Sequence, residues 1–491
     1  QGIDKVRDRH RADCTAPGSA APGAPRSTIG YRHRTMTDLA EPSPTAASAT
    51  AALDPQALES ALRAAIDCAG RVGADAAEAH ARSATELSVN ARNGEVDTVE
   101  HSEARGLSVT VYLGGARGTA ETNDLSEAGI ERSVAAALEI ARLAESDPFA
   151  GLAEPGDLAR DLPDLDLYHP WDVDAAGLAD RAQSMDAAAR AVDARITQTD
   201  RCALSSTAAV SGYASSTGFL GLTRGTHHAV SCLAIAAEHD LKERDLWYDT
   251  RRVPAELSAA EEIGRRAAER AVSRLGARQV PTGAYPVLFE APVAASLIGH
   301  LIGAISGSAL YRKASFLVEA IGEQLFPARV SIVERPSLPR GYASAAYDSE
   351  GVEPLGGSII HAGRLERYVL SSYSARRLGL RTTGNAGGVR NLEVSHDGLP
   401  LEALVKDMSR GVLVTELMGF GVNLVNGDYS RGASGFWIED GEIRYPVNEF
   451  TIAGNLKEMF AGIVGIGADV DNRGNTLCGS ILVDRLTIAG T

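Results

Sequence analysis

The residues best suited to catalytic chemistry lie on a predicted helix over residues 291–306, which carries His300. A helical zinc site in a peptidase needs two histidines about one turn apart, so that both imidazoles reach one metal, and a glutamate that deprotonates the metal-bound water. Here Leu301 follows the histidine, and Ala304 occupies the position one turn later. We therefore predict neither a catalytic residue nor a metal ligand in this chain, and a lone histidine on such a helix is typical of a packed position.

A second group of potential ligands consists of His227, His228, His239 and Cys232, in a strand-like stretch. Adjacent strand residues point to opposite faces of a sheet, so His227 and His228 are poorly arranged for one metal. Solvated strand positions are the favoured interpretation, and an independent enzyme with an unrecognised site here stays an alternative. The sequence has neither a Gly-x-Ser-x-Gly elbow nor a phosphate loop ending in Gly-Lys-Ser/Thr.

Two polar segments are candidates for binding a peptide. Residues 310–316 place Arg312 just after the helix, and the glycine-flanked residues 427–435 contain Tyr429 and Arg431. Glycine-flanked polar loops beside open strands suit a groove that accepts an extended peptide. We predict that His300, Arg312, Tyr429 and Arg431 line such a chamber. The alternatives are isolated exposed charges and a structural ion pair between Asp428 and Arg431.

The composition limits the classes of partner. The net charge of −16 argues against nucleic acid and against an anionic membrane surface as direct partners, because both require clustered Lys and Arg. The five cysteines are scattered, with no Cys-x-x-Cys pair, which predicts neither a disulfide framework nor a cysteine zinc site. No run of about 18 apolar residues exists, so we expect a soluble cytoplasmic protein.

The chain divides into four regions by composition. Residues 1–53 are predicted to be a disordered lead-in or a mis-annotated extension, with translation starting at Met36, and a basic transit peptide is the alternative. An N-terminal α+β domain is predicted at 54–150 and a central α+β domain at 155–280. Residues 281–491 are expected to form a β-rich domain with one or two helices, as either a large, mostly antiparallel sheet or a barrel-like structure.

Local signals place several element boundaries. Asp54-Pro55 predicts a helix start, and Asn93-Gly94 and Asp440-Gly441 predict tight hairpins. Ser258 and Glu261 form a capping-box pattern that predicts another helix start. The loop at 384–388 is rich in glycine and is typical of a simple turn, although it could also approach a ligand closely.

From about residue 55 to the C-terminus the sequence resembles the TldD/PmbA family, and within it the PmbA (TldE) branch. The resemblance depends on the order and number of several stretches, which are residues 304–316, 370–379, 382–388, 427–437, 452–457 and 469–474. In the TldD branch, a helix with His-Glu-x-x-x-His supplies the zinc ligands and the catalytic glutamate. The positions of those three residues are Gly299, His300 and Ala304 here, so the resemblance implies the subunit that lacks the zinc motif.

The resemblance implies a peptidase built from two kinds of subunit that degrades unfolded peptides and processes a precursor peptide. On this hypothesis the chain binds no cofactor itself, and a TldD-like metallopeptidase subunit supplies the zinc. The alternative is a regulatory binding protein that acts on DNA gyrase or on a toxin pathway without proteolysis, because the family was also named for effects on gyrase.

Overall fold

The computed structural model describes residues 53–490. The predictions for the segment before residue 53 therefore lie outside the described residues. The described part contains both helices and strands, and its strands form three sheets. The C-terminal half is rich in strands. The predicted α+β class is confirmed. No helix in residues 53–490 is long and apolar enough to cross a membrane.

The first sheet is antiparallel and has the strand order β3-β2-β1-β4-β5-β6. Its strands are β1 (Ala76–Arg92), β2 (Glu95–Leu113), β3 (Ala116–Thr122), β4 (Ile196–Ser215), β5 (Leu220–Glu238) and β6 (Leu241–Arg251). The predicted hairpin turn at Asn93-Gly94 joins β1 and β2, and both residues have the positive φ that such a turn requires. Because β1 pairs with β4, the regions predicted as the first two domains contribute to one continuous sheet.

Four helices cover one face of this sheet, namely α1 (Pro55–Arg71), α2 (Glu127–Leu143), α3 (Ala175–Arg190) and α4 (Ala260–Ser273). Helices α1 and α2 pack over one end of the strands, and α3 and α4 pack over the other end. Alternate strand residues such as Ala79 and Val89 point into this layer, as the period of two requires.

The helix starts test the capping predictions. The Asp54 side chain accepts a hydrogen bond from the Gln56 N–H, which confirms the predicted start of α1. The predicted capping box at α4 is wrong, because Ala259 is the N-cap and has no side-chain bond. The Ser258 hydroxyl instead donates to Asp249 Oδ2 at 2.9 Å. The Asp249 carboxylate accepts the hydroxyl proton in a charge-assisted hydrogen bond, which holds the Ser258 side chain toward the strand instead of the helix terminus.

Two further sheets form the C-terminal part. A five-stranded sheet has the order β10-β9-β8-β11-β17, and a seven-stranded sheet has the order β12-β7-β18-β15-β14-β13, with β16 paired to β18. Strand β12 pairs with both β7 and β14, so the larger sheet closes on itself as a barrel, with one parallel pair between β7 and β12. The bounds are β7 (Gly283–Phe289), β8 (Ile332–Arg335), β9 (Gly357–His361), β10 (Arg364–Leu365), β11 (Asn391–Val394), β12 (Arg410–Met418), β13 (Val422–Asn423), β14 (Asp428–Glu439), β15 (Glu442–Asn455), β16 (Ile463–Ile466), β17 (Thr476–Leu477) and β18 (Ile481–Ala489).

One long helix and four short ones accompany these sheets, and they are α5 (Ala291–Ala304), α6 (Gly307–Tyr311), α7 (Ser372–Leu378), α8 (Leu401–Lys406) and α9 (Leu456–Ala461). Helix α5 lies in the largest apolar core, which also includes Val412 and Ala433 from the barrel and Ile332 from the five-stranded sheet. This core fixes α5 against the barrel, and α5 is the helix that carries His300.

Candidate functional site

Helix α5 holds His300 at the edge of the largest core. Pro292 occupies its first turn, where a missing N–H costs nothing. Leu297, Leu301 and Ala304 form its buried stripe, each at most 1% exposed. His300 lies beside this stripe and is half-buried, next to the exposed Gly299. The helix therefore presents the imidazole to the barrel strands rather than to bulk solvent.

Strand β14 brings Tyr429 and Arg431 to the same place. Residues two apart in a strand share a face, so both side chains lie on the face that packs against the core around α5. The Tyr429 side chain is 1% exposed, and its ring centre lies 6.0 Å from that of His300 in an edge-to-face arrangement. Three of the four predicted chamber residues thus meet at one position, which we call the α5–β14 cluster: His300, Tyr429 and Arg431.

Several polar atoms in this region are buried and have no hydrogen-bond partner among the described residues. They are His300 Nε2, Tyr429 Oη and Arg431 Nε. An unsatisfied buried polar group costs about 1–3 kcal/mol. Such groups are uncommon in folded proteins, so several of them in one region indicate a place where a ligand completes the bonding.

The electrostatics of the cluster leave one positive charge. Burial lowers the pKa of His300, and the nearby Arg431 guanidinium lowers it further. Burial also raises the pKa of Tyr429 to about 12, although Arg431 opposes this effect. The guanidinium is close enough to act on the phenol, but the Tyr429 oxygen has no contact with the geometry of a hydrogen bond. At neutral pH the imidazole and the phenol are therefore uncharged, and the guanidinium is charged.

The other sequence candidates lie apart from the cluster. Arg312 is exposed at the end of α6, where its Nε donates to the Ser308 carbonyl oxygen at 2.8 Å. The alternative ion pair between Asp428 and Arg431 does not form, because residues three apart in a strand point to opposite faces. Asp428 instead accepts a bond from Asn426 Nδ2 at 2.6 Å.

The residues around His300 do not fit a zinc ion. Ala304 stands one turn later, as the sequence shows, and the neighbouring charged group is a cation, which repels a metal ion. Within residues 53–490, no group of three or more His, Cys, Asp or Glu side chains is arranged to hold a metal. No catalytic step through zinc is therefore assigned to these residues.

The histidines on β5 also remain apart. His228 is fully buried, with Nδ1 3.0 Å from the Ser206 hydroxyl and Nε2 2.9 Å from the His169 carbonyl oxygen. His227 packs edge-to-face on Tyr342 at 5.1 Å. Cys232 is buried beside Cys202, with the sulfur atoms 3.6 Å apart. The prediction of solvated strand positions is wrong for His228 and Cys232, which lie in the packed interior, whereas His239 is exposed in the turn after β5. Within the described part of the chain, these residues form no common metal site.

The glycine-rich loop at 384–388 has a structural role that the sequence did not reveal. Asn385 Nδ2 donates to Glu334 Oε1 at 2.8 Å, and the Ala386 N–H donates to Asp348 Oδ2 at 2.8 Å. A Cβ on Gly384 would lie 2.4 Å from the Glu353 carbonyl oxygen, and its φ is +66°. The loop therefore needs glycine there to approach two buried carboxylates, and only the density of glycines hinted at this.

A cavity of about 310 Å³ lies elsewhere, between the segment before residue 158 and helix α7. Its main cation, Arg376, already donates to the carbonyl oxygens of Phe149, Gly151 and Leu152. Because these donors are used, the cavity is a fissure along a packed segment, and the α5–β14 cluster is the better candidate site.

Comparisons with known proteins identify the family of this chain. Three family models match, described as PmbA/TldA metallopeptidase domain 1 at residues 77–141, the central domain at 168–275 and the C-terminal domain at 282–490. The chain belongs to the PmbA/TldD metallopeptidase family. It is 44% identical over 433 residues to the metalloprotease PmbA of Escherichia coli O157:H7, covering 88% of this chain and 96% of that protein.

Solved structures share the fold. A protein of Bacteroides thetaiotaomicron, described as a proposed modulator of DNA gyrase, superposes with a TM-score of 0.84 at 26% identity, covering 88% of this chain and 99% of the other. TldE from Thermococcus kodakarensis superposes with a TM-score of 0.76 at 20% identity, covering 88% and 100%. At that identity the second likeness concerns the fold alone.

Proposed function

We propose that this chain is the non-metallated PmbA/TldE-type subunit of a zinc metallopeptidase complex that degrades or processes unfolded peptides. The chain lines the peptide chamber through the α5–β14 cluster, and a TldD-like subunit supplies zinc, the attacking water and the glutamate. The observation that carries the proposal is the donor set on α5. One imidazole faces a guanidinium, whereas a peptidase helix would offer two imidazoles and a carboxylate.

Peptide binding by backbone hydrogen bonds explains how such a subunit accepts unfolded chains of many sequences, since every peptide offers the same N–H and C=O groups. Buried donors beside the bound peptide then add contacts that do not depend on a particular side chain of that peptide. Tyr429 and His300 are uncharged at neutral pH for the reasons given above, so they suit a neutral backbone as well as an anion.

Reconstitution tests the proposal. The chain purified alone is expected to cleave no unfolded peptide, and mixing it with a TldD-like subunit is expected to give cleavage that a chelator abolishes. The matched control is a partner whose helix glutamate is replaced by Gln, which keeps the assembly and removes the base. Robust chelator-sensitive cleavage by this chain alone contradicts the proposal.

A regulatory role on DNA gyrase is the second candidate, favoured by the description of the Bacteroides thetaiotaomicron relative. The net charge of −16 makes a protein contact the suitable mode rather than a DNA contact. Binding of this chain to purified gyrase without any peptidase subunit supports this role, and the absence of such binding excludes it.

We place the complex in the cytoplasm. Cys202 and Cys232 are free thiols with their sulfur atoms 3.6 Å apart, an arrangement suited to a reducing compartment. Fractionation of cells that express the native protein tests this location, and recovery in an extracytoplasmic fraction contradicts it.

A further inference from the structure

We propose that the α5–β14 cluster is a receptor for a carboxylate group of the bound peptide. The inference rests on the proposed function, because it names the chemical feature of the peptide that this subunit recognises. The feature that carries it is the arrangement of two buried polar atoms, His300 Nε2 and Tyr429 Oη, beside one guanidinium that has no counter-charge among residues 53–490.

Arg431 differs from three other arginines that are partly or largely buried. Arg367 binds the Glu334 carboxylate at 2.6 Å, and Arg270 binds Glu290 at 2.8 Å. Arg252 has no carboxylate partner, but its guanidinium donates to three carbonyl oxygens. Within residues 53–490, Arg431 has no carboxylate partner, its Nε is buried without a hydrogen-bond partner, and its guanidinium lies close to the Tyr429 hydroxyl. A partly buried guanidinium without a counter-charge favours the binding of an anion.

The neighbours of Arg431 complete an anion site. Tyr429 Oη is a donor because burial keeps the phenol protonated. His300 Nε2 is a donor in the tautomer that carries its proton there. A carboxylate has two oxygens with about four acceptor positions, which is enough to accept from all three groups. Charge-assisted bonds to a guanidinium are the strongest of this kind.

Other ligand classes satisfy the cluster less well. A metal ion is repelled by the guanidinium, and an apolar side chain leaves all three polar atoms unpaired. A neutral amide can accept from two donors, but it does not neutralise the charge. The chemistry therefore favours an oxyanion, and the oxyanion that an unfolded peptide offers is a carboxylate.

The ligand can reach the cluster along helix α5. Gly299 is exposed, and a Cβ placed on it would meet no atom within 4 Å, so the surface beside His300 is open. His300 itself is half-buried, with Nε2 pointing away from solvent. A carboxylate at the end of an extended chain, or on a short side chain, can enter beside Gly299 while the rest of the peptide stays outside.

Two sources offer the same chemistry, namely the C-terminal carboxylate of a peptide and the side chain of an internal Asp or Glu. The experiment uses three labelled peptides of otherwise identical sequence rich in Gly, Ser and Ala. The first has a free C-terminal carboxylate, the second has a C-terminal amide, and the third has the amide and one internal Glu. Fluorescence anisotropy measures the Kd of each for the full chain in complex with its TldD-like partner carrying the Gln substitution, which prevents cleavage.

We expect one of the two carboxylate peptides to bind at least about tenfold more tightly than the plain amide, as loss of a charge-assisted contact predicts. Preference for the first peptide assigns the site to the C-terminus, and preference for the third assigns it to an acidic side chain. Arg431→Gln should remove the preference. Tyr429→Phe, which deletes only a hydroxyl, should reduce it about threefold to tenfold.

The matched control is Arg444→Gln, because Arg444 lies on β15 of the same barrel and pairs with Glu442 at the surface. Arg444→Gln removes the same charge as Arg431→Gln, but the variant should keep the preference for a carboxylate peptide over the amide. Equal affinities for the three peptides, or a preference that remains in Arg431→Gln, overturn the proposal that the cluster binds a carboxylate. If no peptide binds while the wild-type pair still cleaves unfolded peptides, the carboxylate proposal is wrong and the proposed function stands. If the pair also fails to cleave, both are wrong.

Discussion

Two buried polar clusters in the C-terminal region are built in opposite ways. Around Glu334, which is 1% exposed, both carboxylate oxygens are used. Arg367 binds Oε2 at 2.6 Å, and Asn385 and the Arg390 N–H bind Oε1 at 2.8 Å and 2.6 Å. The Nε atoms of Arg367 and Arg390 lack partners, but the buried charge of Glu334 is matched by that of Arg367. This cluster joins β8 to the loop at 384–388.

The α5–β14 cluster also contains a guanidinium, but it contains no carboxylate. Among residues 53–490 its guanidinium has no counter-charge, and the atoms His300 Nε2 and Tyr429 Oη have no hydrogen-bond partner. The difference shows how to separate structural from functional polar groups. Polar groups that bind each other stabilise the fold, and polar groups that leave a charge and donors unpaired are available to bind a ligand. The following predictions test whether this division is real.

The largest effect is expected from Glu334→Gln. The substitution leaves the Arg367 charge buried without a partner, which should destabilise the protein by about 3–5 kcal/mol. Urea unfolding followed by circular dichroism measures the change. The matched control is Glu393→Gln on β11, whose ion pair with Arg335 is about half exposed and should be worth less than about 1 kcal/mol. Similar losses from the two substitutions would contradict the structural role of the Glu334 cluster.

A smaller effect is expected from the titration of Asp348 beside this cluster. Burial raises the pKa of Asp348 to about 6, although it accepts bonds from the N–H groups of Glu350, Val352 and Ala386. Because the folded pKa lies above the unfolded value of 3.8, its contribution to stability is full below about pH 4 and is lost as the pH rises through 6. The total loss should be about 2–3 kcal/mol.

The measurement compares the free energy of unfolding of the wild type with that of Asp348→Asn between pH 4 and pH 7. The wild type should lose stability relative to the variant as the pH rises, since the amide does not ionise. Glu350 also has a raised pKa through burial, but it is present in both proteins and cancels from the difference. A difference that is constant across this range rules out the buried-carboxyl interpretation.

The smallest effect on stability is expected in the α5–β14 cluster. Tyr429→Phe removes a hydroxyl that has no partner, so the free energy of unfolding without peptide should change by less than about 1 kcal/mol or increase. Arg431→Gln should behave similarly, because no ion pair is lost. Thermal and urea unfolding check both variants. A loss of more than about 2 kcal/mol from Tyr429→Phe would mean that the hydroxyl is part of the packing network, and the contrast between the two clusters would fail.

Local signals predicted much of the fold. Alternation and turn chemistry identified the hairpins at Asn93-Gly94 and Asp440-Gly441, and Asp54 marked the first helix. The single sheet formed by β1 and β4 was not predicted, because these strands are separated by about a hundred residues and no local pattern specifies a long-range partner. The capping box predicted at Ser258 was wrong for a related reason, because the Ser258 hydroxyl binds Asp249, which lies on β6 and not in the helix.

The candidate site was partly predictable. Strand periodicity places Tyr429 and Arg431 on one face, and the helix pattern exposes His300 at the edge of its buried stripe. Their meeting depends on how the barrel packs against α5, which the sequence does not state. Arg312 was included because it follows the helix closely, but the short helix α6 turns it toward solvent.

The central claim is that this chain is the subunit without metal. The most direct measurement is the zinc content of each polypeptide after the purified complex is separated under native conditions and analysed by inductively coupled plasma mass spectrometry. The account predicts zinc in the TldD-like subunit and only background zinc in this chain, with the same result for His300→Ala as for the wild type. Stoichiometric zinc in the isolated chain, lost on substitution of His300, would contradict it.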